Sequence, residues 1–193
     1  MKKVFNFESF NFDIENFHFL MPSNSLGNYN LIDLGKRQKS FVNKSKLNHF
    51  FFQNGIKTEN AAYTYGVLLT DGSVQHRKKT TKDGRIANTY KVDLEMKDKD
   101  IVTKISNCLN NKNKLYRSEK RNTLSLRLTT PYMYHDLYCL GCVPNKTEIA
   151  TYPYLKPELQ RHFIRGLIDG DGSFWIKDGQ ILLAIVGNDL LLY

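Results

Sequence analysis

The chain predicts an α+β fold: an αββαββα unit with an antiparallel sheet, followed by an incomplete second copy. Three observations carry this. Gly66-Val-Leu-Leu-Thr-Asp71-Gly72-Ser73 and Gly166-Leu-Ile-Asp-Gly-Asp171-Gly172-Ser173 end alike, with aspartates 100 positions apart. Each closes an apolar segment of helical period. Each is followed by alternating residues around a turn signal, Lys82-Asp83-Gly84 in one case and Lys177-Asp178-Gly179-Gln180 in the other.

Thr58 is a plausible N-cap for the first helix. Ala62, Tyr63, Gly66, Val67, Leu69 and Thr70 then recur at helical spacing. Segments 73–81 and 85–96 read as two strands. Asp98 to Leu109 places apolar residues at 101, 102, 105, 108 and 109, an amphipathic helix ended by Asn110 to Asn113. Leu115 to Ser118 and Thr123 to Leu128 alternate as strands, and Pro131 to Leu140 returns to helix before Gly141. Pro157 suits the first turn of a helix running to Asp171. Residues 173–193 then provide one hairpin, where the first unit has two hairpins and two later helices. The expected organisation is an N-terminal extension of uncertain role (1–57), a first repeat (58–150), and a linker with the start of an incomplete second repeat (151–193). The extension alternates Phe5, Phe7, Phe10 and Phe12 with polar residues and carries a basic stretch from Lys36 to Lys46. It reads as an accessory nucleic-acid-binding arm or, favoured here, as an aromatic packing extension.

Lys plus Arg number 28 against 19 Asp plus Glu, a formal net charge of +9. That balance suits a polyanion such as nucleic acid. The longest apolar run, Ile181 to Val186, is far short of the ~20 residues of a spanning helix. Glu8, Asp13 and Glu15 interrupt the N-terminal aromatics, which argues against a secretory signal. The expectation is an intracellular protein, neither secreted nor membrane-bound, with reduced thiols. Cys139 and Cys142 form a C-x-x-C near His135, but no second ligand pair stands at metal spacing. Small buried residues at a helix end are favoured over a zinc site.

The paired endings suggest their own chemistry. Gly66 with Thr70, and Gly166 with Gly170, put small residues four apart on one helix face, where two backbones can approach closely. Two such helices side by side deliver Asp71 and Asp171 to a common point, followed in each chain segment by Gly72 or Gly172. Carboxylate pairs suit hard ions such as Mg²⁺, which keeps waters and phosphate oxygens in its shell. A two-stranded β-ribbon fits the DNA major groove. The first hairpin offers Ser73, Gln75, Arg77, Lys79, Arg85, Asn88, Tyr90 and Lys91 for such contact, with Ser73 and Gln75 nearest the carboxylate. The second hairpin offers Trp175 and Lys177, with Gln180 beside them.

The segment Ile164-Arg-Gly-Leu-Ile-Asp-Gly-Asp-Gly172 resembles the LAGLIDADG signature of homing endonucleases and intron maturases, and Ala62 to Gly72 is similar to a diverged first copy. The resemblance implies a site-specific, Mg²⁺-dependent double-strand DNA endonuclease encoded by an intron or other mobile element. It implies metal binding by Asp71 and Asp171 and an auxiliary place for Asp169, whose counterpart is Leu69. It also implies a lysine near the scissile phosphate, and Lys146 stands where the topology would put one. Double-stranded DNA is the expected partner, with structured intron RNA as the alternative for a maturase-like protein. A second polypeptide is a further expected partner if the chain is an inactive or split form.

Overall fold

The computed structural model describes residues 46–146, 149–188 and 191. Most of the expected N-terminal extension (1–45) therefore lies outside the described residues. Ten elements follow in order: α1 (Glu59–Thr70), β1 (Gly72–Thr80), β2 (Ile86–Met96), α2 (Lys99–Cys108), β3 (Tyr116–Ser118), β4 (Thr123–Thr129), α3 (Pro131–Cys139), α4 (Pro157–Asp171), β5 (Gly172–Lys177) and β6 (Gln180–Ile185). The α+β class and the αββαββ order are as expected, with element ends shifted by one or two residues.

Local chemistry explains the starts and stops. Thr58 Oγ1 accepts from the Ala61 amide at 3.1 Å and caps α1. Pro131 and Pro157 open α3 and α4 at first-turn positions that need no N–H donor. The second hairpin turns through Asp178 (φ +52°) and Gly179 (φ +77°), two left-handed residues of the kind that match the twist of a tight hairpin.

Four strands form one antiparallel sheet in the order β1-β2-β4-β3. Its register pairs Ser73 with Asp93 and Asp93 with Arg127. Directly opposed residues share a face, so the pleat divides the side chains into two sets. Val74, Val92, Leu94, Leu126 and Leu128 point inward and are buried. With Val102 and Ile105 of α2 and Met133 and Leu137 of α3 they make the core. Burial explains α1 as well: every residue from Ala61 to Leu69 is buried, so it runs through the interior with no solvated stripe. Strands β5 and β6 form a separate two-stranded sheet. Phe174, Ile176 and Ile181, on the side equivalent to the buried face of the first hairpin, are 65%, 76% and 78% exposed. Among the described residues, no helix is long and apolar enough to cross a membrane.

Candidate active site and nucleic-acid face

Helices α1 and α4 meet at backbone distance. A Cβ built on Gly66 would lie 2.5 Å from the Phe163 carbonyl oxygen and 3.0 Å from Gly166 Cα. A Cβ on Gly166 would strike the Tyr63 carbonyl oxygen, and one on Gly170 would strike the Thr70 side chain. All four expected interface residues therefore sit at the crossing, and no larger side chain fits at the glycines without separating the helices. At the ends of the helices, Gly72 and Gly172 open β1 and β5. There a Cβ would run into the Leu68 and Ile168 carbonyls of the preceding helix.

That crossing sets Asp71 and Asp171 beside each other. Both side chains are solvent-exposed, yet the neighbouring helix ends remove enough water to raise both carboxyl pKa values above the ordinary 3.8. Loss of water is the main cause for each. The negative charge of Asp171 raises Asp71 further, while the Lys146 ammonium lowers both. Lys146 follows α3 in a loop where Asn145 is left-handed (φ +57°). Its Nζ donates to the Gly72 carbonyl oxygen, which holds the ammonium against the turn that carries Asp71. The two carboxylates offer hard oxygen donors of the kind Mg²⁺ takes when water and phosphate oxygens complete its shell, while the lysine ammonium is no ligand but a positive charge for a phosphate. Among the described residues, no group of three or more His, Cys, Asp or Glu side chains is placed to hold a metal ion by itself.

The outward face of the four-stranded sheet runs away from Asp71. Ser73, Gln75, Arg77 and Lys79 of β1 share it with Lys91 of β2. Gln75 Nε2 donates to Ser73 Oγ at 2.9 Å, and Arg77 Nη2 donates to Gln75 Oε1 at 2.7 Å. These bonds order a polar file along the strand. Asn88 and Tyr90 fall on the opposite side. The His76 and Tyr90 rings stack at 4.5 Å, His76 lies 3.0 Å from Asn88 Oδ1, and Tyr90 meets Tyr134 of α3. Arg85, in the hairpin turn, pairs with Asp83 at 2.5 Å. On β5, Trp175 and Lys177 lie on the same face as Ser173, while Phe174 and Ile176 take the other.

The outward face also holds residues that local pattern did not single out: Asp93, Glu95, Ser125 and Arg127. With Asp71, Ser73, Gln75 and Lys91 they line an open cleft of about 310 Å³. Arg127 lies over the Tyr116 ring at 4.9 Å. Burial raises the Asp93 carboxyl, and Lys91, Arg127 and Arg77 partly offset this. Strand parity with Lys91 could have found Asp93 and Glu95, whereas Ser125 and Arg127 follow only once β4 is known to sit beside β2. Of the cysteines, Cys142 is wholly buried, its Sγ lies 3.6 Å from the Leu68 carbonyl, and burial pushes its thiol up to about 11. It is a core residue. His135 Nδ1 lies 3.8 Å from Cys139 Sγ.

No family model and no curated protein matches the chain. Solved structures do. The chain is similar to the I-LtrWI LAGLIDADG homing endonuclease bound to target DNA, at 15% identity and a TM-score of 0.43, over 62% of this chain and 60% of that one. It is similar to I-DmoI in complex with DNA and Ca, at 20% identity and a TM-score of 0.39, over 60% and 58%. A third is I-SmaMI bound to an uncleaved DNA target in the presence of calcium ions, at 14% identity and a TM-score of 0.40, over 62% and 60%. The match spans about three fifths of the length of the first of these structures.

Proposed function

We propose that this protein is a site-specific endonuclease for double-stranded DNA, with Mg²⁺ as its metal. The observation that carries the reading is the glycine-lined crossing that brings Asp71 and Asp171 together beside Lys146. Residues 58–150 form the first repeat in this reading, and 151–193 begin the second. Asp71 and Asp171 hold the metal, each from the end of its own helix. When bound, Mg²⁺ supplies a more acidic water and charge neutralisation at a scissile phosphate. Gly72 and Gly172 keep the main chain close to the carboxylates. Lys146 favours the ionised form of the two aspartates and stabilises negative charge developing on the phosphate oxygens. Asp169 is an auxiliary group, since its hydroxyl partner Tyr63 holds it at the helix interface.

The outward sheet face binds DNA along its groove. Ser73 and Gln75 lie next to the cleavage point, Arg77, Lys79 and Lys91 lie further out, and Arg127 extends the face onto β4. Arginine and glutamine can pair bidentately with guanine and adenine edges, while lysines chiefly meet phosphates. Trp175 and Lys177 offer the corresponding contact from the second hairpin.

The test is selection from a randomised duplex library with Mg²⁺, followed by sequencing of cut ends. Recurrent cut sites that vanish with EDTA and in Asp71→Asn and Asp171→Asn support the proposal. DNA bound but never cut would refute it. Tight binding to structured RNA in that case would favour the maturase-like alternative.

A further inference from the structure

The near-symmetry of α1 and α4 is broken where they face each other. With the 100-residue offset, Tyr63 corresponds to Phe163 and Asp169 to Leu69. The Tyr63 hydroxyl donates to Asp169 Oδ2 at 2.7 Å across the helix interface. The equivalent positions in the other direction hold Phe163 and Leu69, both buried and both without a polar atom to satisfy. Tyr63 is only 2% exposed. Its ring lies 4.3 Å from Lys104 Nζ on α2 and 4.5 Å from the Arg165 guanidinium on α4. The phenol thus ties three helices together, and its hydroxyl has an acceptor because α4 supplies one.

The contact of Gly66 with Gly166 cannot decide which helix pairs with which. The two meet through the same kind of contact, each against a backbone carbonyl of the other helix. Exchange the partners, and that contact is the same, although Thr70, which fits against Gly170, would meet a second Thr70 in an α1–α1 pair. A second copy of the chain could then pair α1 with α1 and α4 with α4.

We propose that Tyr63 and Asp169, beside the fit of Thr70 on Gly170, direct α1 to pair with α4 and disfavour like-with-like pairing between two copies. In an α1–α1 pair, Tyr63 faces Leu69 of the other copy and loses its acceptor. In an α4–α4 pair, Asp169 faces Phe163, so a partly buried carboxylate lies against a ring. Each orphaned polar group shifts the pairing equilibrium by roughly tenfold or more. A polar contact used in this way selects a partner rather than adding stability, as a single polar residue does in a coiled-coil seam. The inference concerns helix pairing and holds whether or not the chain cuts DNA.

The experiment uses the full chain carrying Thr70→Gly, so that Thr70 no longer biases the pairing, and compares this parent with two further variants by sedimentation velocity over a range of concentrations. The added pair Tyr63→Phe/Asp169→Leu, the double variant, makes the two helices alike at both positions. Its dimer association constant should rise roughly tenfold or more over that parent. The transposed variant, Tyr63→Phe/Leu69→Asp/Phe163→Tyr/Asp169→Leu in the same parent, moves the polar pair to the other end and should return to the parent's value. Thermal unfolding gives a second readout: Tyr63→Phe alone should lower Tm, and adding Asp169→Leu should recover most of the loss. An unchanged association constant in the double variant would overturn the proposal. So would a transposed variant as dimeric as the double variant, or a double variant with no cooperative unfolding.

Discussion

At the scale of single residues, the two aspartates stand in a place that costs stability. Their carboxyl pKa values are raised, so the folded chain binds these protons more tightly than the unfolded chain does. The cost is absent below the ordinary aspartate value of 3.8 and complete once the pH has passed the raised values. At pH 7, Asp171→Asn should therefore raise Tm, by about 2 °C, while abolishing Mg²⁺-dependent cleavage. Affinity for DNA should stay within a few-fold, because phosphate contacts dominate it. Calorimetry and a cleavage assay on the same preparation check both halves. Lys146 lowers both carboxyl pKa values, so Lys146→Met should let them rise. The acid limb of the cleavage pH profile should then move to higher pH, which a rate-against-pH series would detect. Asp71, Asp171 and their glycines were legible as a repeated string. The neighbouring lysine was reached through the family resemblance and the topology together, since nothing in Val143 to Lys146 differs from an ordinary surface loop.

At the scale of elements, the crossing of α1 and α4 depends on the absence of side chains at its centre. Gly166→Leu should cost about 3 kcal/mol or more, because its Cβ already meets the Tyr63 carbonyl. Denaturant titration measures this, and a midpoint equal to wild type would mean the helices do not touch there. The first hairpin makes a different prediction on each face. Arg77→Ala and Arg127→Ala should weaken duplex binding and lessen its salt dependence, since both lie on the outward face. Tyr90→Ala should lower stability instead, through loss of its stacking with His76 and Tyr134. Binding isotherms at two salt concentrations, with melting curves, separate the two kinds of effect. Sequence reading placed Asn88 and Tyr90 among the contact residues because they are polar and neighbouring. Strand parity assigns them to the other side, because 88 and 90 fall in step with the buried Val92 and Leu94 of the same strand.

At the scale of the whole molecule, a net charge of +9 predicts steep salt dependence. Duplex affinity should fall by at least tenfold between 50 and 200 mM salt if four or more phosphates are contacted, which filter binding would show. Charge, helix and strand periods, the hairpin turns and the paired Asp-Gly endings were all determined by the sequence itself. Each is a local property, set by side-chain period, capping and allowed backbone angles within a few residues. Three things were decided only by tertiary structure. One is the β1-β2-β4-β3 order, which brings Ser125 and Arg127 beside Asp93 and extends the polar face by a strand. Another is the meeting of Lys146 with the Gly72 carbonyl, 74 positions apart. The last is the bond from Tyr63 to Asp169, 106 positions apart. These contacts depend on which faces the core brings together, and that choice comes from burying apolar surface across the entire chain rather than from any window of it.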